Sequence, residues 1–113
     1  MSFFSKLFGS SSTSNRGQVL TTAQFKEAIS KGKVQLIDVR TAKEFNSGHI
    51  KGAKNIDFFN SNTFTAAFEK LNKDQPVYLY CRSGNRSSNA VKKIAQLGFK
   101  EIYDLQGGYM RWK

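Results

Sequence analysis

The sequence predicts an α/β fold in which a parallel sheet carries helices on both faces. Two observations support this. Apolar, β-branched runs alternate with helix-like amphipathic stretches along most of the chain, which is the pattern of repeated β-α-β units. The two strongest runs, "VQLIDVR" and "PVYLYC", are apolar enough for strands covered on both faces. A chain of 113 residues, 39% of them hydrophobic, suits one domain with its own core.

Residues 1–17 are expected to form a flexible N-terminal tail and linker, and residues 18–113 the domain. "SFFSKLF" is briefly amphipathic, and "GSSSTSNRG" is a Gly/Ser/Thr/Asn linker with little to bury. "TTAQFKEAISKG" reads as a helix, with Thr21 and Gln24 spaced as a capping box and Gly32 at its end. "VQLIDVR" is a strand. "TAKEFNSG" repeats the capping logic with Thr41 and Glu44 and stops at Gly48. "GAKNID" is a short strand. "NTFTAAFEKLN" sets Phe64, Ala67, Phe68 and Leu71 on one helical face. "PVYLYC" is a buried strand with Pro76 at its first position, where a missing donor is tolerated. "SSNAVKKIAQLG" is a helix facing Ala90, Val91, Ile94 and Ala95 inward and ending at Gly98. "FKEIYDL" is a further strand, and "GGYMRWK" a glycine turn into a last short helix.

Composition narrows the function. The net charge is +10, but the lysines fall in separate elements rather than on one stripe. This describes a solvated surface that attracts small anions, not a nucleic-acid groove. A lone cysteine cannot form an internal disulfide and suits a reducing, cytoplasmic setting. No apolar run is long enough to cross a bilayer, and "MSFFSKLFG" is too short and interrupted for a signal peptide.

Sites in parallel α/β sheets lie at the carboxyl ends of the strands, and Cys81 stands at such an end. It opens the loop "CRSGNRS" ahead of a helix. Gly84 permits a turn that residues with a Cβ resist. Successive amides in a tight loop form an anion nest, and the helix N-terminus adds partial positive charge. Such surroundings favour the thiolate and should bring its pKa below the free value of about 8.5. Arg82 and Arg86 add positive charge if they turn inward. Ser83, Asn85, Ser87 and Ser88 are candidate helix caps. His49, the only histidine, is expected to be a structural imidazole rather than the partner of a Cys–His dyad. One Cys, one His and dispersed acids leave no metal site.

Three blocks of the chain resemble the rhodanese family of sulfurtransferases. The first is "LIDVRTAKEFNSGHIKGAKNID", with Asp38, Val39, Arg40, Glu44, Gly48-His49-Ile50, Gly52-Ala53 and Asn55. The second is "YCRSGNRS", and the third "DLQGGYMRW" with Gly107, Gly108 and Trp112. The resemblance implies a rhodanese-like three-layer sandwich with a mostly parallel five-stranded sheet. It implies Cys81 as a sulfur acceptor cycling through a persulfide, within a substrate- or anion-binding loop of Arg82, Ser83, Gly84, Asn85 and Arg86. Sulfurtransferases of this family use a six-residue loop, which Cys81 through Arg86 would fill. Phosphatase and arsenate-reductase members use Cys-x5-Arg, whereas the spacing here is Cys-x4-Arg. Thiosulfate-specialised relatives often carry lysine at the third loop position, where this chain has Ser83.

Asp38, Arg40 and Glu44 are expected to support the scaffold. A desolvated Asp38 needs a partner, which Arg40 or a loop arginine can supply, and Glu44 serves as the capping-box acid. The implied activity moves a sulfane sulfur from thiosulfate, polysulfide or a persulfide to cyanide, a thiol or a protein cysteine, without a cofactor. Two alternatives stand beside it. One is a phosphatase or arsenate reductase on the same fold. The other is a non-enzymatic sulfur carrier or interaction module.

Overall fold

The computed structural model describes residues 17–112. In chain order these form β1 (Gly17–Leu20), α1 (Thr22–Ile29), β2 (Gln35–Asp38), α2 (Ala42–Asn46), β3 (Lys54–Asn55), α3 (Ser61–Glu69), β4 (Val77–Tyr80), α4 (Asn85–Ala95), β5 (Ile102–Leu105) and α5 (Gly108–Trp112). The strands build one five-stranded sheet in the order β1-β5-β4-β2-β3. Every pairing is parallel, so the sheet is parallel throughout rather than mostly so.

The alternation of side chains along each strand divides the core in two. On one face Ile37, Val39, Leu79 and Ile102 meet Phe64 and Phe68 of α3 and Ala90 and Ile94 of α4. On the other, Leu36, Tyr80 and Leu105 meet Phe25 of α1, with Tyr109 and Trp112 of α5 packed against them. Aromatic edges fix the geometry: Phe68 meets Phe99 at 5.9 Å and 84°, and Phe25 meets Trp112 at 6.1 Å and 83°.

Both predicted capping boxes are formed, at Thr21–Gln24 and Thr41–Glu44. Pro76 lies just before β4 rather than inside it. One strand escapes a reading by apolar runs. Gly17, placed in the linker, is the first residue of β1, a four-residue edge strand whose Val19 is 62% exposed. Its backbone register with β5, from Gly17 opposite Ile102 to Leu20 opposite Leu105, sets it in the sheet. The amphipathic "SFFSKLF" stretch lies outside the described residues. Among the described residues no helix is long and apolar enough to cross a membrane.

Phe68 is fully buried between α3 and the sheet and touches the rings of Phe64 and Phe99. Phe68→Ala should therefore destabilise the domain by about 3–5 kcal/mol, read from the shift in its urea unfolding midpoint.

Candidate active site

Cys81 directly follows β4, and α4 begins four residues later at Asn85. Between them Gly84 takes φ +109°, a left-handed conformation open to glycine. A Cβ there would meet only the Gly107 amide nitrogen, at 3.8 Å, so glycine is required by conformation rather than by space. The turn sends the chain back over the cysteine, and the Gly84 N–H donates to Cys81 Sγ at 3.0 Å. Gly84 is also the N-cap of α4, with no side-chain cap hydrogen bond. The polar residues expected as caps do not cap: the helix starts two residues before Ser87, and Ser87 is fully buried. The positive end of α4 thus lies at the sulfur loop without a side-chain oxygen in front of it.

The closing segment holds the loop from the other side. Tyr109 and Met110 donate their backbone N–H groups to the carbonyl oxygens of Cys81 and Arg82, at 2.8 and 3.0 Å. Two loop carbonyls are thereby engaged by the start of α5. Here glycine is required by space. A Cβ on Gly108 would lie 2.5 Å from the Arg82 carbonyl oxygen and 2.7 Å from that of Cys81.

The residues named as support form two ion pairs. Asp38 is fully buried and receives Arg40 through Nε at 3.0 Å and Nη2 at 2.6 Å, and through its backbone N–H at 2.9 Å. Burial alone would weaken the charge on Arg40, but Asp38 overrides it and raises the guanidinium pKa. Arg40 also donates to the Gly48 carbonyl at 2.7 Å and lies over the Tyr109 ring at 4.5 Å. The partner of Asp38 is therefore Arg40 and not a loop arginine. Asn55 ties down the same turn by donating to the carbonyls of Asp38 and Arg40, at 2.9 and 2.8 Å.

The second pair crosses the site. Arg86 grips Glu44 with both nitrogens, at 2.7 and 3.0 Å, while Glu44 also accepts from the Thr41 backbone N–H at 3.0 Å. Glu44 is a capping acid and a latch on the sulfur loop at once. The Arg86 hydrogen bonds pull its pKa down to about 2, against the opposing effect of burial. With both terminal nitrogens on Glu44, the Arg86 guanidinium ties the loop down rather than standing free to meet an anion. Arg82 is exposed and makes no side-chain contact of this kind among the described residues. It faces an open cleft shared with Arg40, Lys43, Gly48, Tyr109 and Met110.

Cys81 itself is only 1% exposed. His49 is exposed, stacks on Phe45 at 3.7 Å, and sets Nδ1 2.8 Å from the Phe45 carbonyl oxygen. It is a local structural imidazole. Tyr80 was not singled out by sequence: its hydroxyl accepts the Ile50 N–H at 3.0 Å, and burial pushes its pKa up. Tyr109 and Met110 were likewise read only as a short helix, because nothing in their spacing reveals backbone bonds to a loop so far back in the chain. Among the described residues no group of three or more His, Cys, Asp or Glu is placed to hold a metal.

This fold has counterparts among known proteins. The Rhodanese-like domain family model matches residues 21–113. The chain is 39% identical over 95 residues to an uncharacterized protein of Bacillus subtilis, YqhL, covering 84% of this chain and 71% of that one. It is 31% identical over 93 residues to the thiosulfate sulfurtransferase GlpE of Shewanella oneidensis, covering 82% and 89%. A rhodanese-like domain protein from Staphylococcus aureus superposes with a TM-score of 0.74 at 30% identity, over 85% of this chain and 91% of that one. The chain belongs to the rhodanese-like domain family.

Two variants test the geometry. Gly108→Ala forces a methyl group against two backbone carbonyls and should cost about 1–3 kcal/mol in chemical denaturation. The Glu44 pKa is depressed in the folded state, so its stabilisation is complete above the ordinary carboxylate range. That contribution is lost as the pH falls from there through about 2. Glu44→Gln should be less stable than the wild type at neutral pH and converge on it in acid, as measured by denaturant titrations across that range.

Proposed function

We propose that this protein is a sulfurtransferase in which Cys81 carries a sulfane sulfur as a persulfide. The observation that carries the proposal is the Gly84 N–H aimed at Cys81 Sγ from 3.0 Å, within a loop of rhodanese length. The deprotonated sulfur of Cys81 attacks the outer sulfur of a donor such as thiosulfate, polysulfide or a small persulfide. The new S–S bond forms as the donor's S–S bond breaks, and sulfite or a thiolate departs with the electron pair. The terminal sulfur of the Cys81 persulfide is then anionic. The Gly84 amide and the start of α4 offer it fixed dipoles that need no reorganisation. A nucleophilic acceptor, such as cyanide, a thiol or a protein cysteine, takes the terminal sulfur and releases the Cys81 thiolate. No metal or organic cofactor takes part.

Within this proposal Arg86, Glu44, Asp38 and Arg40 hold the loop, while Arg82 with Lys43 draws anions toward it. The two ion pairs support that assignment by their geometry. The phosphatase alternative is disfavoured by the same observation. A phosphoryl-binding arginine must face the anion, whereas Arg86 is committed to Glu44 through both nitrogens. Residues 1–16 are proposed to lie outside the catalytic unit, which takes in Gly17 as the first residue of β1, and the small anion field and lone thiol fit a cytoplasmic setting.

Incubation of the full chain with thiosulfate or polysulfide, followed by intact mass spectrometry, tests the reading. The wild type should gain the mass of one sulfur atom and lose it on addition of cyanide. Cys81→Ala should gain none and show sulfur transfer no faster than the uncatalysed reaction. Hydrolysis of an aryl phosphate without any sulfur adduct would instead select the phosphatase alternative.

A further inference from the structure

One buried acid is used by nothing described above. Asp104 lies near the carboxyl end of β5, 6% exposed, and its Oδ1 has no hydrogen-bond partner. In the sheet it stands between Leu79 of β4 and Val19 of β1. Leu79 and Cys81 belong to the same core cluster, so the period of two along the strand places Asp104 on the face of the sheet that carries the sulfur. Ser87, in the first turn of α4, is fully buried. Its hydroxyl is the group that holds the Asp104 pKa down against burial, and it donates toward the Gly84 carbonyl oxygen at 3.4 Å. A hydroxyl has one proton to give. Gly84 is the residue whose N–H contacts the sulfur.

We propose that Asp104 is a positioning acid for the Cys81 loop: once ionised, it draws the Ser87 hydroxyl away from Gly84 and sets negative charge on the sulfur's face of the sheet. When Asp104 is protonated, its O–H donates to Ser87 Oγ and the Ser87 proton turns to the Gly84 carbonyl. The proton released on ionisation goes to solvent. Burial raises the Asp104 pKa to about 6, with the Ser87 hydrogen bond opposing the shift. Among the described residues no charged side chain acts on Asp104 from the elements around it. The inward positions of α4 are Ser87, Ala90, Val91 and Ile94, and its strand neighbours are Leu79 and Val19. Cys81 is the one other titratable group on that face of β4. Rising pH therefore weakens the loop's hold on an anionic sulfur, and acid strengthens it.

Because Cys81 is the only thiol, its alkylation by iodoacetamide reports on the loop whether or not the protein transfers sulfur. The experiment compares the wild type with Asp104→Asn, which has nearly the same shape and no charge. Dividing one rate by the other removes the part of the thiol's titration that the two proteins share and leaves the part that depends on Asp104. The ratio of variant to wild-type rate should be near one at about pH 5 and rise about three- to fivefold by about pH 8, as expected for one charge acting across a partly screened interior. In ¹H–¹⁵N spectra the wild-type Gly84 amide should shift with a midpoint near 6. That shift should vanish in Asp104→Asn and in Ser87→Ala. His49 remains in both variants, so a shift that disappears with Asp104 belongs to Asp104. A flat rate ratio, or a Gly84 amide that is unmoved in the wild type or still moves in Asp104→Asn, overturns the proposal. The sulfurtransferase reading enters only when rates of persulfide formation are substituted for alkylation. Coupling without any persulfide would sink that reading alone.

Discussion

Two backbone N–H groups at the start of α5 grip the carbonyls of Cys81 and Arg82, and the remaining geometry of the site depends on that grip. A tight loop holds an anion only if its amides face inward, which requires its carbonyls to find partners elsewhere. The closing segment supplies those partners, and the bare backbone of Gly108 allows the approach. The glycine pair near the C-terminus is therefore part of the sulfur site, although it contributes no side chain to it.

The sheet makes the grip possible by bringing β4 and β5 side by side in parallel register. The loop after β4 and the segment after β5 then emerge at the same edge. On the adjoining side β2 delivers Asp38 and Arg40, whose buried pair locks the turn into α2. That turn presents Glu44 to Arg86. Breaking a buried pair of this kind by removing one partner leaves an uncompensated charge, which is why such pairs hold loops more rigidly than their net stabilisation suggests.

Much of the scaffold was legible because local chemistry and global fold agree. The capping boxes at Thr21 and Thr41 were readable from four-residue windows, and β2 and β4 from apolar runs with both faces covered. Strand β1 was not, because a short, half-exposed edge strand owes its place to ladder hydrogen bonds with β5 and not to its own side chains. At the site, Cys81 and Gly84 could be read from their neighbours. The Arg86–Glu44 latch could not, since the two residues are 42 positions apart and each has a satisfactory local role. The start of α4 was placed late because serine and asparagine suggest caps, whereas a left-handed Gly84 took the cap position. Asp104 gave no signal at all: within "FKEIYDL" it has the sequence position of an ordinary strand residue, and only the burial of its neighbours marks it.

The solitary thiol, enclosed at 1% exposure, has a consequence for traffic through the protein. Enzymes with a second, resolving thiol can eject a bound sulfur unaided by closing an intramolecular disulfide. This chain has no second thiol with which to do so. In the sulfurtransferase proposed above, a sulfur loaded here would stay until another molecule came to collect it, so occupancy would be set by the supply of collectors, and an unclaimed protein would remain in its charged form.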